Sequence, residues 1–365
     1  MIKCVIWDLD ETIFDGTISE DKELRVRAGV VQILELLHRC GIVPSIASRN
    51  EPIPALRWLA EAGIRDYFVY PQISWGAKSQ SVGRILADLH FRPDDVLFVD
   101  DQEFERDGVK ASFPTIHTVN GRNLAEVVEL VEESRRSTGL DGCSRIDMYR
   151  HEERRLADRE TFRGNGAEFL TSCSIEVSIR KALCQDFARL SELMGRTNQV
   201  NSGKVLLDEK RFRELRAQIP PCLFVSTVSD RYGTYGQSGL LICEPEAGDT
   251  LVIRSLVVSC RLLGKGIAQV LLAVAGALAS LTGRAELILR YVPTEFNRQM
   301  QLLFVMNGFS RVAEREGVIT FRRYLRQGPI ALPPWLRVEC PGLLDLESEL
   351  AACRNAESSP AHVAI

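Results

Sequence analysis

The sequence predicts an α/β protein in two parts: a parallel-sheet domain covered on both faces, followed by an α+β domain. Three observations carry this. Its 365 residues exceed one ordinary domain of about 100–200 residues. Residues 1–135 alternate short apolar runs with amphipathic stretches, the pattern of a helix-covered parallel sheet. Around residues 134–170 Arg, Glu, Asp and Gly replace the apolar anchors, and a different, strand-rich pattern follows from Ser174.

In the first part the strand candidates are Cys4–Trp7, Ile42–Ala47, Tyr67–Tyr70 and Val96–Val99. Helical spacing of apolar residues falls between them, in Val30–Cys40, Ala55–Ala62 and Lys78–Leu89. The charged stretch Arg150–Arg163 reads as a solvated helix within a linker. In the second part strands are expected at Leu223–Val228, Gly239–Cys243, Thr250–Ser259 and Glu286–Tyr291. Ile267 to Thr282 is the longest apolar stretch; it falls short of the roughly 20 residues that span a bilayer and reads as a buried helix. Pro329, Pro333, Pro334 and Pro341 mark a tail that ends in a short amphipathic segment, Leu343–Cys353. The resulting division is 1–135, a linker 136–173, 174–326 and a Pro-rich tail 327–365.

Composition narrows the function. A formal net charge of −4 argues against nucleic acid as a partner, because phosphate neutralisation needs a basic surface. The charge is uneven, however. Residues 176–326 hold 21 Lys and Arg against 14 Asp and Glu, a surplus that suits an acidic protein partner. The ten cysteines form no CxxC pair, and no signal-peptide pattern precedes the first strand, so a cytoplasmic protein with reduced thiols is expected.

The chemistry starts at Asp8-Leu9-Asp10-Glu11-Thr12, where the first strand ends. One carboxylate there can attack phosphorus while its neighbour acts as general acid and then base. Paired carboxylates repel a phosphate, so a magnesium ion is expected. Three partners follow in order, each at a strand-to-helix junction: Ser48, Lys78 and the pair Asp100-Asp101. A hydroxyl, an ammonium and adjacent acids are what a phosphate, a nucleophilic carboxylate and a metal ion require.

These four motifs resemble those of the haloacid dehalogenase (HAD) superfamily of phosphotransferases. The resemblance implies Asp8 as nucleophile, Asp10 as acid/base, and Thr12, Ser48, Arg49 and Lys78 as groups that hold substrate. It implies Asp8, Asp10 through its backbone carbonyl, Asp100 and Asp101 around the metal. Only 37 residues separate Asp10 from Ser48 and 29 separate Ser48 from Lys78, so neither gap has room for a cap domain.

A second constellation lies at Ser259-Cys260-Arg261-Leu262-Leu263-Gly264-Lys265-Gly266, between an apolar strand and the apolar helix. Glycines at such a junction leave amides free to cradle a phosphate or pyrophosphate. With Leu302–Phe309 downstream, this resembles the GNAT acyltransferase fold, whose cradle grips the pantetheine arm of coenzyme A. Arg261, Gly264 and Gly266 would then contact that arm, and Cys260 stands beside it as a candidate relay thiol. Cys4 is a poorer candidate, four residues and roughly 13 Å from the Asp8 chemistry along an extended strand. The five histidines lie at 38, 90, 117, 151 and 362, which leaves no Cys-His or Ser-His relay inside the second domain.

Both halves in this order resemble the FkbH-like family over residues 1–325, with local matches at Arg196–Asn201, Asp230–Gly236, Ser259–Gly266, and Pro293-Thr294 with Asn297. The implied fold is an N-terminal HAD-like Rossmannoid parallel-sheet domain without a cap, then a GNAT-like α+β domain. The implied activity is a glyceryl transferase/phosphatase. Such an enzyme dephosphorylates 1,3-bisphosphoglycerate, a phosphorylated three-carbon acyl donor, and loads the glyceryl unit onto the phosphopantetheine thiol of an acyl carrier protein. The product would feed polyketide extender units of the methoxymalonyl type, or tetronates. Asn198 and Asn297 are implied as further substrate-binding residues, and no membrane is involved.

Glu11 replaces the family's usual Asn and Phe14 its usual Trp, differences expected to bear on substrate choice; Val200–Gly203 also departs modestly. A lactyl or other hydroxyacyl unit is therefore a second substrate to consider. Three other readings compete: a magnesium-dependent phosphatase whose GNAT-like half is not catalytic, a coenzyme A-dependent N-acyltransferase fused to a phosphatase, and a carrier-docking scaffold.

Overall fold

A computed structural model describes residues 2–343 except 19, 21–23, 90, 137–142, 204–206, 219–221 and 247. It divides into two compact units, Met1–Thr161 and Phe162–Ile365. The expected amphipathic segment Leu343–Cys353 lies, apart from Leu343, outside the described residues.

The first unit runs β1 (Cys4–Trp7), a two-strand hairpin β2 (Phe14–Asp15) and β3 (Arg25–Val26), α1 (Val30–Cys40), β4 (Val43–Ser48), α2 (Pro52–Glu61), β5 (Gln72–Ile73), α3 (Lys78–Leu89), β6 (Val96–Asp100), α4 (Glu103–Ser112), β7 (His117–Asn120), α5 (Leu124–Arg136) and α6 (Cys143–Thr161). Its parallel sheet has the order β5-β4-β1-β6-β7. All four residues of β1 are buried, as a central parallel strand covered on both faces requires. The chain winds outward from β1 to β5, then α3 returns it to the other side of β1. That reversal opens a crevice at the carboxyl ends of β1 and β6, the usual place for a ligand in such sheets. In α1 the buried positions Val30, Ile33, Leu34 and Leu37 follow helical spacing and face the core.

Two expectations need correction in this unit. Tyr67–Tyr70 is not a strand: the Val69 N–H bonds to the Pro44 carbonyl of β4, but Tyr70 takes a positive φ of 48°, which turns the chain, and the ladder with β4 forms at Gln72–Ile73. The charged helix of the supposed linker, α6, belongs to this unit. It buries Ile146 and Arg155, and its Glu153 carboxylate accepts the Tyr70 N–H at 2.6 Å.

The second unit comprises α7 (Gly166–Ser172), β8 (Ile175–Lys181), α8 (Phe187–Arg196), α9 (Glu209–Ala217), β9 (Leu223–Asp230), β10 (Gly233–Pro245), β11 (Thr250–Val258), α10 (Ile267–Leu281), β12 (Glu286–Tyr291), α11 (Gln299–Met306), β13 (Ser310–Arg315), β14 (Val318–Tyr324) and β15 (Leu336–Glu339). Its mixed sheet has the order β13-β14-β12-β11-β10-β9-β8-β15. The neighbours are antiparallel except β11 with β12 and β15 with β8. The apolar helix α10 buries Ile267, Val270, Leu271, Val274, Ala275 and Leu278 in the main core, as its composition predicts. The Pro-rich tail is not wholly a tail, because β15 adds to the edge of this sheet beside β8.

The observed architecture is therefore the α/β-then-α+β arrangement read from the sequence. Among the described residues no helix is long and apolar enough to cross a membrane.

Candidate active site

Asp8 leaves β1 with its N–H bonded to Val99 of β6 at 2.9 Å, which places its carboxylate in the crevice. Asp100 ends β6, and Lys78 opens α3. The Lys78 ammonium lies 2.8 Å from Asp8 Oδ2 and 2.6 Å from Asp100 Oδ2, and all three side chains are buried. Carboxylate oxygens of Asp8, Asp100 and Asp101 lie within 4.8 Å of one another.

Three acids around one ammonium leave an excess of negative charge in a poorly solvated place. Burial raises the Asp8 carboxyl group's pKa, with Lys78 opposing. Burial, reinforced by the charge of Asp8, pushes Asp100 up to about 6, again against Lys78. Asp101 is raised by burial and by Asp8. Burial disfavours the Lys78 ammonium, yet Asp8 and Asp100 outweigh it and its pKa rises.

The donor set fits a hard divalent cation. Asp101 Oδ1 is buried with no hydrogen-bond partner, a costly state that a cation would relieve. Magnesium takes carboxylate oxygens together with substrate phosphate oxygens, and Asp8, Asp100 and Asp101 are the residues that would hold it.

Other predicted residues take different positions. The Asp10 side chain does not join the three converging carboxylates. Its Oδ1 accepts the Ile18 N–H at 3.0 Å and its Oδ2 accepts Asn50 Nδ2 at 3.0 Å. Thr12 is fully buried, and its Oγ1 accepts the Asp101 N–H at 3.1 Å. A Cβ at Gly121 would come within 2.6 Å of that oxygen, so Thr12 packs against the Gly121 backbone while it braces the acid loop. Ser48 is buried and its hydroxyl supports the Asp8 carboxylate. Arg49 points to Glu105, Nη1 to Oε1 3.1 Å. Asn50, which the sequence reading missed, donates to both Asp10 and Ser48 and is 2% exposed.

The family departures also find a physical place. Glu11 sits at φ 53°, a left-handed conformation that Asn tolerates better than Glu. Phe14 is buried in the core of the unit. The Glu11 carboxylate lies 3.9 Å from Arg122 Nη2, which is itself 3.6 Å from Asp101 Oδ2, so this change places a charge beside the acid cluster.

In the second unit Asn297 is buried. Its Oδ1 accepts the Tyr291 hydroxyl and the Thr294 N–H, both at 2.7 Å, while its Nδ2 donates to the Asn201 and Val292 carbonyls. All of these bonds are internal, so Asn297 holds loops together. Asn198 is exposed and lines a cavity of about 270 Å³ with Thr197, Asn201, Thr294, Glu295 and Phe296.

The glycine cradle differs from the sequence expectation. Gly264 and Gly266 have φ of 74° and 93°, as the tight turn before α10 requires. A Cβ at Gly266 would meet Pro333 at 2.6 Å, and Trp335 Nε1 donates to the Lys265 carbonyl at 3.0 Å. The former tail thus lies against the Gly266 side of the cradle. Lys265 Nζ donates to the Arg261 carbonyl at 2.6 Å and lies 5.2 Å from the Tyr235 ring centre. Cys260 begins the short turn Cys260–Leu262, is half-buried, and is not among the residues lining the 270 Å³ cavity.

No family model and no curated protein sequence matches the chain. Solved structures resemble parts of it. The N-terminal part of BF1531 from Bacteroides fragilis, a structure containing a phosphatase domain complexed with Mg, is 22% identical, with a TM-score of 0.31. That match covers 36% of this chain and 40% of the Bacteroides chain. The PaiA N-acetyltransferase from Thermoplasma acidophilum, in complex with coenzyme A, is 15% identical over 40% of this chain and 98% of its own, with a TM-score of 0.30. The ribosomal-protein-S18-alanine N-acetyltransferase from Escherichia coli is 14% identical over 43% and 95%, with a TM-score of 0.32. None of these likenesses assigns a role to a residue.

Proposed function

We propose that the chain is a bifunctional glyceryl transferase/phosphatase of the HAD-plus-GNAT kind. The observation that carries this reading is the buried group of Asp8, Asp100, Asp101 and Lys78 at the switch point of the parallel sheet, with an orphaned carboxylate oxygen inside it.

The donor, 1,3-bisphosphoglycerate, carries two phosphates with different chemistry. At the acyl phosphate a thiolate attacks the carbonyl carbon, the C–O bond to phosphate breaks, and a thioester forms. At the phosphate ester an Asp8 oxygen attacks phosphorus in line, and the alcohol oxygen leaves with a proton from Asp10. Water then cleaves the aspartyl phosphate with Asp10 accepting its proton, which regenerates Asp8 and releases inorganic phosphate. The net products are the glyceryl thioester and two phosphates.

This chain's residues divide that work. Asn50 fixes the Asp10 carboxylate. Lys78 holds Asp8 in place and offsets the phosphate's negative charge. A magnesium ion held by Asp8, Asp100 and Asp101 would neutralise charge on the transferring phosphoryl group. In this reading Cys260 serves as the relay thiol, and the final acceptor is the phosphopantetheine thiol of an acyl carrier protein in the cytoplasm. Asn201 bridges Val257, and Cys260 follows three residues later, about 10 Å along an extended chain.

The test is intact-protein mass after incubation with 1,3-bisphosphoglycerate, magnesium and a holo carrier protein. Wild type should place a glyceryl unit on the carrier and, transiently, on itself. Cys260→Ala should lose the adduct on the enzyme. A carrier that stays unmodified with wild type would refute the reading.

A further inference from the structure

The parallel pairing of β11 with β12 stops at Ile253 and Leu289, yet β11 runs on to Val258 and β12 to Tyr291. Strands that part in this way leave backbone donors and acceptors facing the gap, a template for an extended ligand that carries amides. A pantetheine arm, with its two amide groups, is such a ligand.

Here the gap is already filled by the chain itself. Ser202 is fully buried within it. Its N–H donates to the Leu256 carbonyl at 3.0 Å, its Oγ accepts the Leu256 N–H at 2.9 Å, and its carbonyl accepts the Val292 N–H at 2.9 Å. Two residues earlier, the Val200 carbonyl accepts the Val258 N–H at 2.9 Å. Asn297 locks this plug through the Asn201 carbonyl at 2.9 Å. At the other end of the same strand-to-helix junction, Pro333 and Trp335 pack against the glycine turn. The strand edge that would hold a nucleotide-borne pantetheine is thus engaged by backbone, and the Gly266 side of the glycine turn is covered by Pro333.

The plug also forms one wall of the 270 Å³ cavity, through Asn201 and Gly203. That volume lies below the roughly 300–1,000 Å³ of sites for drug-sized ligands. Asn198 and Glu295, both solvent-exposed, line it, and among the described residues their side chains make no hydrogen bond within the protein. An unengaged amide and an unengaged carboxylate are partners for hydroxyl groups.

We propose that this cavity is the acyl site of the second unit, and that it takes a small hydroxyl-bearing acyl group while the Ser202 plug refuses coenzyme A. Naming the acyl group as hydroxylated rests on the transferase reading above; the plug and the cavity do not. Glu295 accepts a hydroxyl proton of the ligand, Asn198 supplies the complementary donor, and the thiol meets the acyl carbon at the cavity mouth instead of lying along β11.

Calorimetric titration of the full-length protein tests this with three probes: the N-acetylcysteamine thioesters of glycerate and of propionate, and coenzyme A. The glyceryl thioester should bind at least about tenfold more tightly than the propionyl thioester, because each hydroxyl gains a partner. Glu295→Gln and Asn198→Ala should each erase most of that preference while circular dichroism and melting temperature stay unchanged. Coenzyme A should give no saturable heat. Equal binding of the two thioesters, no binding of the glyceryl thioester, or coenzyme A binding as tight as the glyceryl thioester would overturn the proposal. A carrier that remains unloaded while the glyceryl preference persists would remove the transferase reading and leave the cavity's selectivity standing.

Discussion

The two units treat the ends of their central strands in opposite ways. In the first, β1 leads into Asp8 and β6 ends in Asp100, whose charges exceed what Lys78 alone offsets, and a neighbouring Asp101 oxygen has no hydrogen-bond partner. In the second, the parting of β11 and β12 is closed by backbone, with Ser202 engaging Leu256 and Val292. Unmet polar demand marks a place built for something else to complete. Met demand marks a place the fold has completed for itself, and it moves the ligand question to the cavity beside it.

The largest effect on this contrast should come from Lys78→Met. It leaves buried carboxylates without their cation, a loss of about 3–5 kcal/mol in urea unfolding without metal. Added magnesium should recover part of it. A variant as stable as wild type would show that the acid cluster is not under the electrostatic stress described.

Ser202→Ala probes the other side. It orphans the buried Leu256 N–H and should cost about 1–3 kcal/mol. Phosphate release by the first unit should stay unchanged, which a colorimetric phosphate assay can follow beside the unfolding curve.

A pH effect of smaller size belongs to Asp100. Its folded-state value of about 6 lies above the ordinary 3.8, so between those values the folded protein holds a proton that the unfolded chain has lost. Metal-free stability should therefore rise as pH falls from 7 to 5. Asp100→Asn should flatten that rise, and a melting series across this range would show whether it does. Magnesium should stabilise wild type most above pH 6, where the proton no longer competes.

The smallest change expected is at Glu11→Asn. Relief of the left-handed backbone should add up to about 1 kcal/mol, with the direction set by φ 53°. Loss of the Glu11 bond to the Gly16 N–H at 3.0 Å works against it. A melting temperature below wild type would mean that the side-chain bond outweighs the backbone strain.

The first unit's centre was legible because its groups sit at strand ends, in chain order, and in residue types that are rarely buried without purpose. Asn50 escaped notice because a polar residue just before a helix is ordinary; its position two residues after Ser48 was the available signal. The α6 helix was misread as solvated because its charges dominate its composition. Its anchors among the described residues are the buried Ile146 and Arg155, Tyr149 packed on the core, and the Glu153 carboxylate on the Tyr70 N–H, a mix of apolar and charged groups that does not show as apolar periodicity. Strand β15 does carry an alternation, Leu336 and Val338 against Arg337 and Glu339, but four nearby prolines hid it. The plug was illegible for a deeper reason. It consists largely of backbone bonds across 54 residues, between Ser202 and Leu256, and no residue pattern announces a carbonyl's partner.

The central claim is that one chain removes a phosphate at Asp8 and delivers the remaining acyl group to a carrier thiol. The carrier's mass decides it, after incubation with 1,3-bisphosphoglycerate, magnesium and either wild type or Asp8→Asn. Wild type should yield a glyceryl carrier, and Asp8→Asn a carrier still bearing phosphoglycerate. An identical adduct from both proteins, or no adduct from either, would contradict it.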